Sequence, residues 1–495
     1  MTAMKMDNKK AYRLHGLASA AALAAAALTG CMNLAPQYST PTGMVPAEVG
    51  TAGAPVQATP ASLDAAQALA WVQSPGLREA LALALANNRD LRVALANIDK
   101  ARAQYGISEA DLLPTLNASG QGSRSRTAAD LASNGRSAVV SQYTAQLGMT
   151  SYELDLWGRV RNLNEAALQA FLQSGENQRN VQLTLLADVA NAWLTLAADQ
   201  ARLTLAEQTL AARRQSFALT ERMHELGSTS GLVLEQNRTT VDAARADVAG
   251  FSSQVVRDRN LLQLLAGGPL PESAMPAPLQ LSAATSAAAL LPLPVPLPSS
   301  VLLARPDVRS AEYQLRAMNA NIGAARAALF PTISLTASVG TGSNELSGLF
   351  GSGSSTWSFV PLVRLPIFDG GRNRANVAVA QANEQVALAQ YEKAVQTAFR
   401  ETADALAERA QWAERLSAQA SLVASTQKAF DLSEARFKSG VDNYLAVLDA
   451  QRSLYAAQQT LITLQLQEQL NRVTLVKVLG GEPVAVAAAS APALR

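Results

Sequence analysis

The chain carries its plan twice. GISEADLLPT (106–115) matches GAARAALFPT (323–332) at an offset of 217 residues, and DLWGRVR (155–161) matches FDGGRNR (368–374) at an offset of 213. Phe217 pairs with Phe430 and Gly227 with Gly440 at that second offset, so LGSTSGLVLEQNRTT (226–240) lies over SGVDNYLAVLDAQRS (439–453). Each half reads in one order: helix, Pro-led polar stretch, second polar stretch, Gly-Arg turn, long helix, Gly break, long helix. A duplicated unit of this size implies a fold built from two similar halves. The first repeat is expected over 65–268 and the second over 307–481. A Pro-rich linker (269–306, with PLPVPLPSS at its centre) separates them, and a short tail (482–495) follows.

The long segments beat in sevens. Val189, Leu196, Leu203, Leu210 and Phe217 are seven apart, as are Leu234, Val241, Val248, Val255 and Leu262, and again Leu416, Val423, Phe430 and Phe437. A heptad sustained this long predicts supercoiled helices rather than a compact core. Abundant alanine favours helix and lets backbones approach closely. Residues 163–226 alone would make roughly 90 Å of helix at 1.5 Å per residue.

After Pro114 and Pro331 the period changes to two. In PTISLTASVG, Ile333, Leu335, Ala337 and Val339 alternate with Thr332, Ser334, Thr336 and Ser338. STWSFVPLVRLPIF (355–368) follows a Gly/Ser-rich turn and puts Trp357, Phe359, Pro361 and Val363 on one face. A weaker version appears between Asn117 and Trp157, with Tyr143, Ala145, Leu147 and Met149 on one face. Two hairpins are predicted, at about 113–157 and 331–368, with strands of about 10 to 14 residues, the length and alternation of membrane-barrel strands. Four strands cannot close a barrel, so closure would need several chains.

The N-terminus resembles a secretory signal (1–30): Lys5, Lys9, Lys10 and Arg13 precede a short apolar run that ends in LTGC. LTGC resembles a bacterial lipobox, which implies cleavage before Cys31 and lipidation of that thiol. Residues 31–64 would then form a lipidated tether or arm. Past Cys31 there is no run of 18 consecutive apolar residues, so any crossing of a membrane must be made by a barrel.

Several functions are argued against by composition. One cysteine allows no intramolecular disulfide, and two histidines leave little for a metal cluster or a His-based triad. A net charge of +2 with 16% charged residues carries no nucleic-acid signature. GSGSS (351–355) lacks a following GK[ST] and is no phosphate loop. The sequence offers no catalytic constellation, so it is read as a non-enzyme without metal or other cofactors.

A lipobox, a duplicated helix–hairpin–helix plan, a Gly-broken helix pair and YLAVLDAQRSLYAAQQTL (444–461) together resemble the TolC-like outer membrane factor family, and more narrowly its NodT-type efflux lipoproteins. The resemblance implies an α+β membrane protein. Coiled-coil helices would form a periplasmic α-barrel, and four β-strands per protomer would complete a trimeric twelve-stranded outer-membrane β-barrel. It also implies a homotrimer in the outer membrane that docks with a periplasmic adaptor (membrane fusion protein) and an inner-membrane RND transporter to expel small toxic compounds.

Under that resemblance, Leu445, Asp449 and Arg452 match the residues of a periplasmic gate, where a threefold ring of carboxylates would select cations. The first repeat has Gln236 at the Asp449 position, so the charge is not doubled. Gly227, Ser228 and Thr229, with Gly440, Val441 and Asp442, would form adaptor-docking tips. Trp357 and Phe359 would join an aromatic belt at the barrel rim. Two other classes compete: a duct for type I protein secretion, and a structural coiled-coil lipoprotein without a pore. The latter has no use for two amphipathic hairpins.

Overall fold

A computed structural model describes residues 32–39, 41, 48–49, 72–131, 135–280 and 297–480. Cys31, the signal segment, most of the arm, part of the linker and the C-terminal tail lie outside the described residues. The chain divides into two compact units: 1–40 with 99–173 and 311–391, and 41–98 with 174–310 and 392–495.

The duplication is visible element by element. Helices α1 (Pro75–Asn87) and α2 (Arg89–Ala110) open the first repeat. Strands β2 (Leu116–Thr127) and β3 (Ala138–Leu154) follow, then α3 (Arg159–Glu225) and α4 (Gly231–Ala266). The second repeat holds α5 (Pro306–Ala327), β5 (Thr332–Ser343), β6 (Ser355–Arg364), α6 (Arg372–Lys438) and α7 (Tyr444–Val478). A two-residue strand in the arm, β1 (Glu48–Val49), pairs antiparallel with one in the linker, β4 (Leu297–Pro298). Helices α2 and α5 have 22 residues each and lie 217 positions apart. Helices α3 and α6 have 67 residues each and lie 213 apart, from Arg159 to Arg372. At 1.5 Å per residue each runs about 100 Å.

In the first unit the four strands form one antiparallel sheet in the order β2-β3-β5-β6. Paired residues share a face, and the apolar ones coincide across all four strands. Ala118 pairs with Leu147, Leu147 with Val339 and Val339 with Trp357; Leu116, Met149, Ala337 and Phe359 form the next row. Ser, Thr and Gln dominate the other face. Trp357 and Phe359 are 80% and 58% exposed on the apolar face.

The third strand corrects the expected strand length. It runs 17 residues, one of which is the extra residue of a β-bulge between Met149 and Tyr152. Ser151 takes φ 54 there and its N–H donates to Thr336 Oγ1 at 3.1 Å. The bulge restores the side-chain phase, so Tyr152 and Leu154 rejoin the face of Leu147 and Met149. The last strand is shorter than 355–368: it stops at Arg364, before Pro366, which has no N–H for a ladder.

Residues 32–39 are docked on the same unit. The Met32 N–H donates to Leu156 O at 3.2 Å, Asn162 Nδ2 donates to Asn33 Oδ1 at 2.8 Å, and Arg326 donates to Leu34 O at 3.2 Å. Arg316 lies over the Tyr38 ring, 5.0 Å from its centroid.

In the second unit the apolar core gathers Leu186, Val189, Trp193 and Leu196 of α3 against Leu77 and Leu81 of α1, Leu262 of α4, and Ile462 and Val473 of α7. Trp193 Nε1 donates to Ala274 O at 2.9 Å. One window of α3 reaches a mean hydropathy of 1.3, enough by composition to cross a bilayer, yet 67% of it is buried. Its apolar residues therefore belong to the core.

Candidate gate and tip loops

Both Gly breaks close their helices in the same way. Gly227 and Gly440 sit at φ 74 and 73, the left-handed region that glycine enters without a Cβ penalty. The Gly227 N–H donates to His224 O and the Ser228 N–H to Met223 O; Gly440 to Phe437 O and Val441 to Arg436 O repeat the pattern. These are Schellman motifs, which satisfy carbonyls at a helix end. Three residues past each glycine, Ser230 and Asn443 accept backbone N–H bonds from Val233 and Ala446 and cap the next helix.

The two tips differ in what holds them. At the first, His224 Nδ1 contacts Thr229 O at 3.0 Å, so that nitrogen carries the proton, and Ser228 Oγ donates to Met223 O at 2.7 Å. At the second, Arg436 grips Asp442 with two bonds of 2.5 and 2.9 Å, and that hydrogen bonding holds the Asp442 carboxyl below the usual carboxylate range. Leu226, Leu232 and Val441 are exposed at these ends.

The expected gate residues open the last helix. Tyr444, Val447 and Leu448 are buried and pack with Val233, Phe430 and Phe437. Leu445, Asp449 and Arg452 occupy the opposite, exposed face, as their i, i+4 and i+3 spacing requires. Arg452 stands 3.9 Å from Asp449, and the two side chains are 57% and 65% exposed. A pair this open contributes a few tenths of a kcal/mol in one protomer.

The packed seams hold polar residues that the heptad reading passed over. Asp199, Arg213, Thr220, Asn237 and Asp258 are all buried. Each stands three residues after an apolar heptad position (Leu196, Leu210, Phe217, Leu234 and Val255), which is the second core position of a heptad. That spacing was the available signal. Asn237 Nδ2 donates to Thr220 Oγ1 at 2.7 Å, and Arg213 donates to Thr240 O at 2.8 Å. Asp258 has its carboxyl pushed up to about 6, by burial first and then by the neighbouring Asp199 carboxyl. Among the described residues no group of three or more His, Cys, Asp or Glu is arranged to hold a metal.

Comparison with known proteins agrees with this arrangement. The family model described as outer membrane efflux protein matches residues 80–268 and 297–481. The toluene efflux pump outer membrane protein TtgC of Pseudomonas putida is 44% identical over 466 residues, covering 93% of this chain and 94% of the relative. A crystal structure of a membrane protein from Pseudomonas aeruginosa superposes with a TM-score of 0.82 at 42% identity, covering 91% of this chain and 98% of that one. The open state of the Neisseria gonorrhoeae MtrE outer membrane channel gives a TM-score of 0.77 at 37% identity, covering 90% and 98%. With two repeats, two hairpins and two Schellman-ended helix pairs matched by one family model, the chain belongs to the outer membrane efflux protein family.

Proposed function

We propose that the chain is the outer-membrane exit duct of a tripartite efflux pump, passing drugs, solvents or other small toxic compounds from the periplasm to the exterior. One observation carries this reading. A four-stranded sheet has an apolar face and two edges, β2 and β6, with no neighbour among the described strands. An open edge cannot face lipid, because its unpaired N–H and C=O groups have nothing to bond. Copies of the chain must supply the missing neighbours, and three copies give the twelve strands of the expected barrel.

The duct does no chemistry; the inner-membrane partner, of the RND class, supplies the energy. A periplasmic adaptor grips the tips at Gly227, Ser228, Thr229, Gly440, Val441 and Asp442, where exposed Leu226, Leu232 and Val441 offer apolar contact beside polar loops. Leu445, Asp449 and Arg452 form the periplasmic gate, and lipidation of Cys31 adds an anchor. TtgC carries toluene efflux in its name, which favours small molecules over the protein cargo of a type I secretion duct.

The test is drug and solvent susceptibility of a deletion strain. The wild-type chain is expected to restore tolerance, and Cys31→Ser to do so with less protein in the outer membrane. Failure of the wild-type chain to restore tolerance to any small-molecule class, with the protein present in the outer membrane, rejects the efflux reading.

A further inference from the structure

The internal repeat specifies the register of the seam between copies. Resting on the duct reading above, we propose that β6 of one protomer pairs with β2 of a second copy so that Val363 stands opposite Gly120.

The pairing follows from the join inside the chain. There β3, the second strand of repeat one, pairs with β5, the first strand of repeat two. The same relation applied once more puts β6, the second strand of repeat two, against β2, the first strand of repeat one. Four strands are too few to close on themselves, so that β2 belongs to another chain.

The offsets make this quantitative. First strands correspond at 217, set by Pro114 and Pro331 just before them. Leu116 pairs with Met149, and its equivalent Ile333 pairs with Val363. Second strands therefore correspond at 214 up to the bulge. Past it they correspond at 213, the offset of the long helices, and the one extra residue at Ser151 is the difference. The internal pair Met149–Ala337 then maps to Val363 opposite Gly120 of the second copy. Leu147–Val339 maps to Pro361 opposite Gly122; carried past the end of β6 at Arg364, the same register sets Leu365 beside Ala118 and Ile367 beside Leu116, outside the ladder.

Four observations fit this seam. Every residue of β6, and all but the last of β2, is exposed, whereas β5 between its neighbours is half-buried almost throughout. The register sets the apolar face of β6 against the face of β2 that carries Leu116 and Ala118. Ile367, three residues past the end of β6, and Leu116, which the register brings beside it, are 93% and 67% exposed in the single chain. A Cβ added at Gly120 meets nothing within 4 Å, which leaves room for the Val363 side chain. In the same register Phe359 faces Arg124 and Trp357 faces Arg126 of the second copy. Directly opposite Cβ atoms lie about 5 Å apart, within reach of cation–π contact. Arg126 also donates to Ser137 Oγ in its own chain, at 3.4 Å.

The test is disulfide cross-linking in membranes, since Cys31 is the only native cysteine. Gly120→Cys with Val363→Cys is expected to give covalent dimers and trimers on a non-reducing gel, at least tenfold more than Gly120→Cys with Pro361→Cys or with Leu365→Cys. Equal or better cross-linking of either shifted pair overturns the register. No covalent species from any pair, in cells that keep their drug tolerance, overturns the edge pairing and leaves the duct reading standing. A wild-type chain that restores no tolerance strikes the duct reading instead, and the gel still reads the seam.

Discussion

Tyr455 of α7 donates its hydroxyl to Asp247 of α4, with Oη and Oδ2 3.1 Å apart, and ties together two helices that belong to different repeats. The Arg213 guanidinium lies 5.5 Å from the centroid of the same ring while it donates to Thr240 O. Three helices thus meet at one tyrosine. Burial first, and the Asp247 charge second, push the Tyr455 hydroxyl up to about 12. The folded state prefers the neutral phenol, so this contribution is complete below pH 10 and is lost as pH rises through about 12. Tyr455→Phe is expected to cost about 1 kcal/mol, a hydrogen bond with the ring kept. Arg213→Ala, which empties a buried site and frees a carbonyl, should cost roughly 3 kcal/mol. Denaturant unfolding in detergent checks both values; an unchanged midpoint for Arg213→Ala contradicts the assignment.

Asp449 and Arg452 are too exposed to matter for the stability of one chain. Their effect is expected in passage. In a threefold ring, three carboxylates repel unless cations or Arg452 offset them. Asp449→Ala, alone or with Arg452→Ala, should raise single-channel conductance and vancomycin uptake by cells while unfolding midpoints stay unchanged. Wild-type conductance and wild-type uptake in both variants would remove these residues from the gate.

Asp258 makes a pH prediction with the opposite sign to most carboxylates. Its carboxyl is raised from 3.8 to about 6, so the folded state holds a proton that the unfolded chain releases. The favourable contribution is complete below pH 3.8 and disappears as pH rises through 6. Asp258→Asn keeps the shape and removes the charge. It should raise the melting midpoint by a few degrees at pH 7.5, leave it unchanged at pH 4, and flatten the profile between them. Thermal unfolding of both proteins across that range decides it, and a lower midpoint for the variant at pH 7.5 would refute the assignment.

Most of the fold was legible because its signals are periodic. The repeat offsets of 217 and 213 reappear as equal-length helices, period two marked β3, β5 and β6, and β2, whose LNASGQGSRSRT alternates poorly, followed from the repeat. Two features escaped the periodic reading. The bulge at Ser151 breaks the alternation for one residue, so Tyr152 and Leu154 read as out of phase when the backbone has put them back in it. The buried Asp199, Arg213, Asn237 and Asp258 lie on a second heptad position whose polarity is readable only once the apolar position three residues earlier is known to be packed. The gate role proposed for Leu445, Asp449 and Arg452 rests on the family resemblance alone: in one chain Asp449 and Arg452 look like any solvated pair.

Gly323 tests how the N-terminal arm is held. A Cβ there would stand 2.5 Å from Asn162 Nδ2 and 2.8 Å from both the Cβ and the backbone N of Ala35. Real side chains do not approach so closely, and one of the two blocking groups is backbone, so the arm must move. Asn162 is 2% exposed and bonds Asn33, so it cannot simply swing away. Gly323→Ala is therefore expected to lift residues 33–35 off α5 and to break the Asn162–Asn33 bond. Because α5 is helical at that point and alanine favours helix, its own backbone should gain rather than lose. The measurement is limited proteolysis in detergent with mass mapping of the cuts. Cleavage within 33–39 should be several times faster than in wild type, with the rest of the pattern unchanged. Asn162→Ala, which removes the bond without adding bulk, should show a smaller increase, and equal protection of the arm in both variants would mean that the Arg326 and Tyr38 contacts hold it alone.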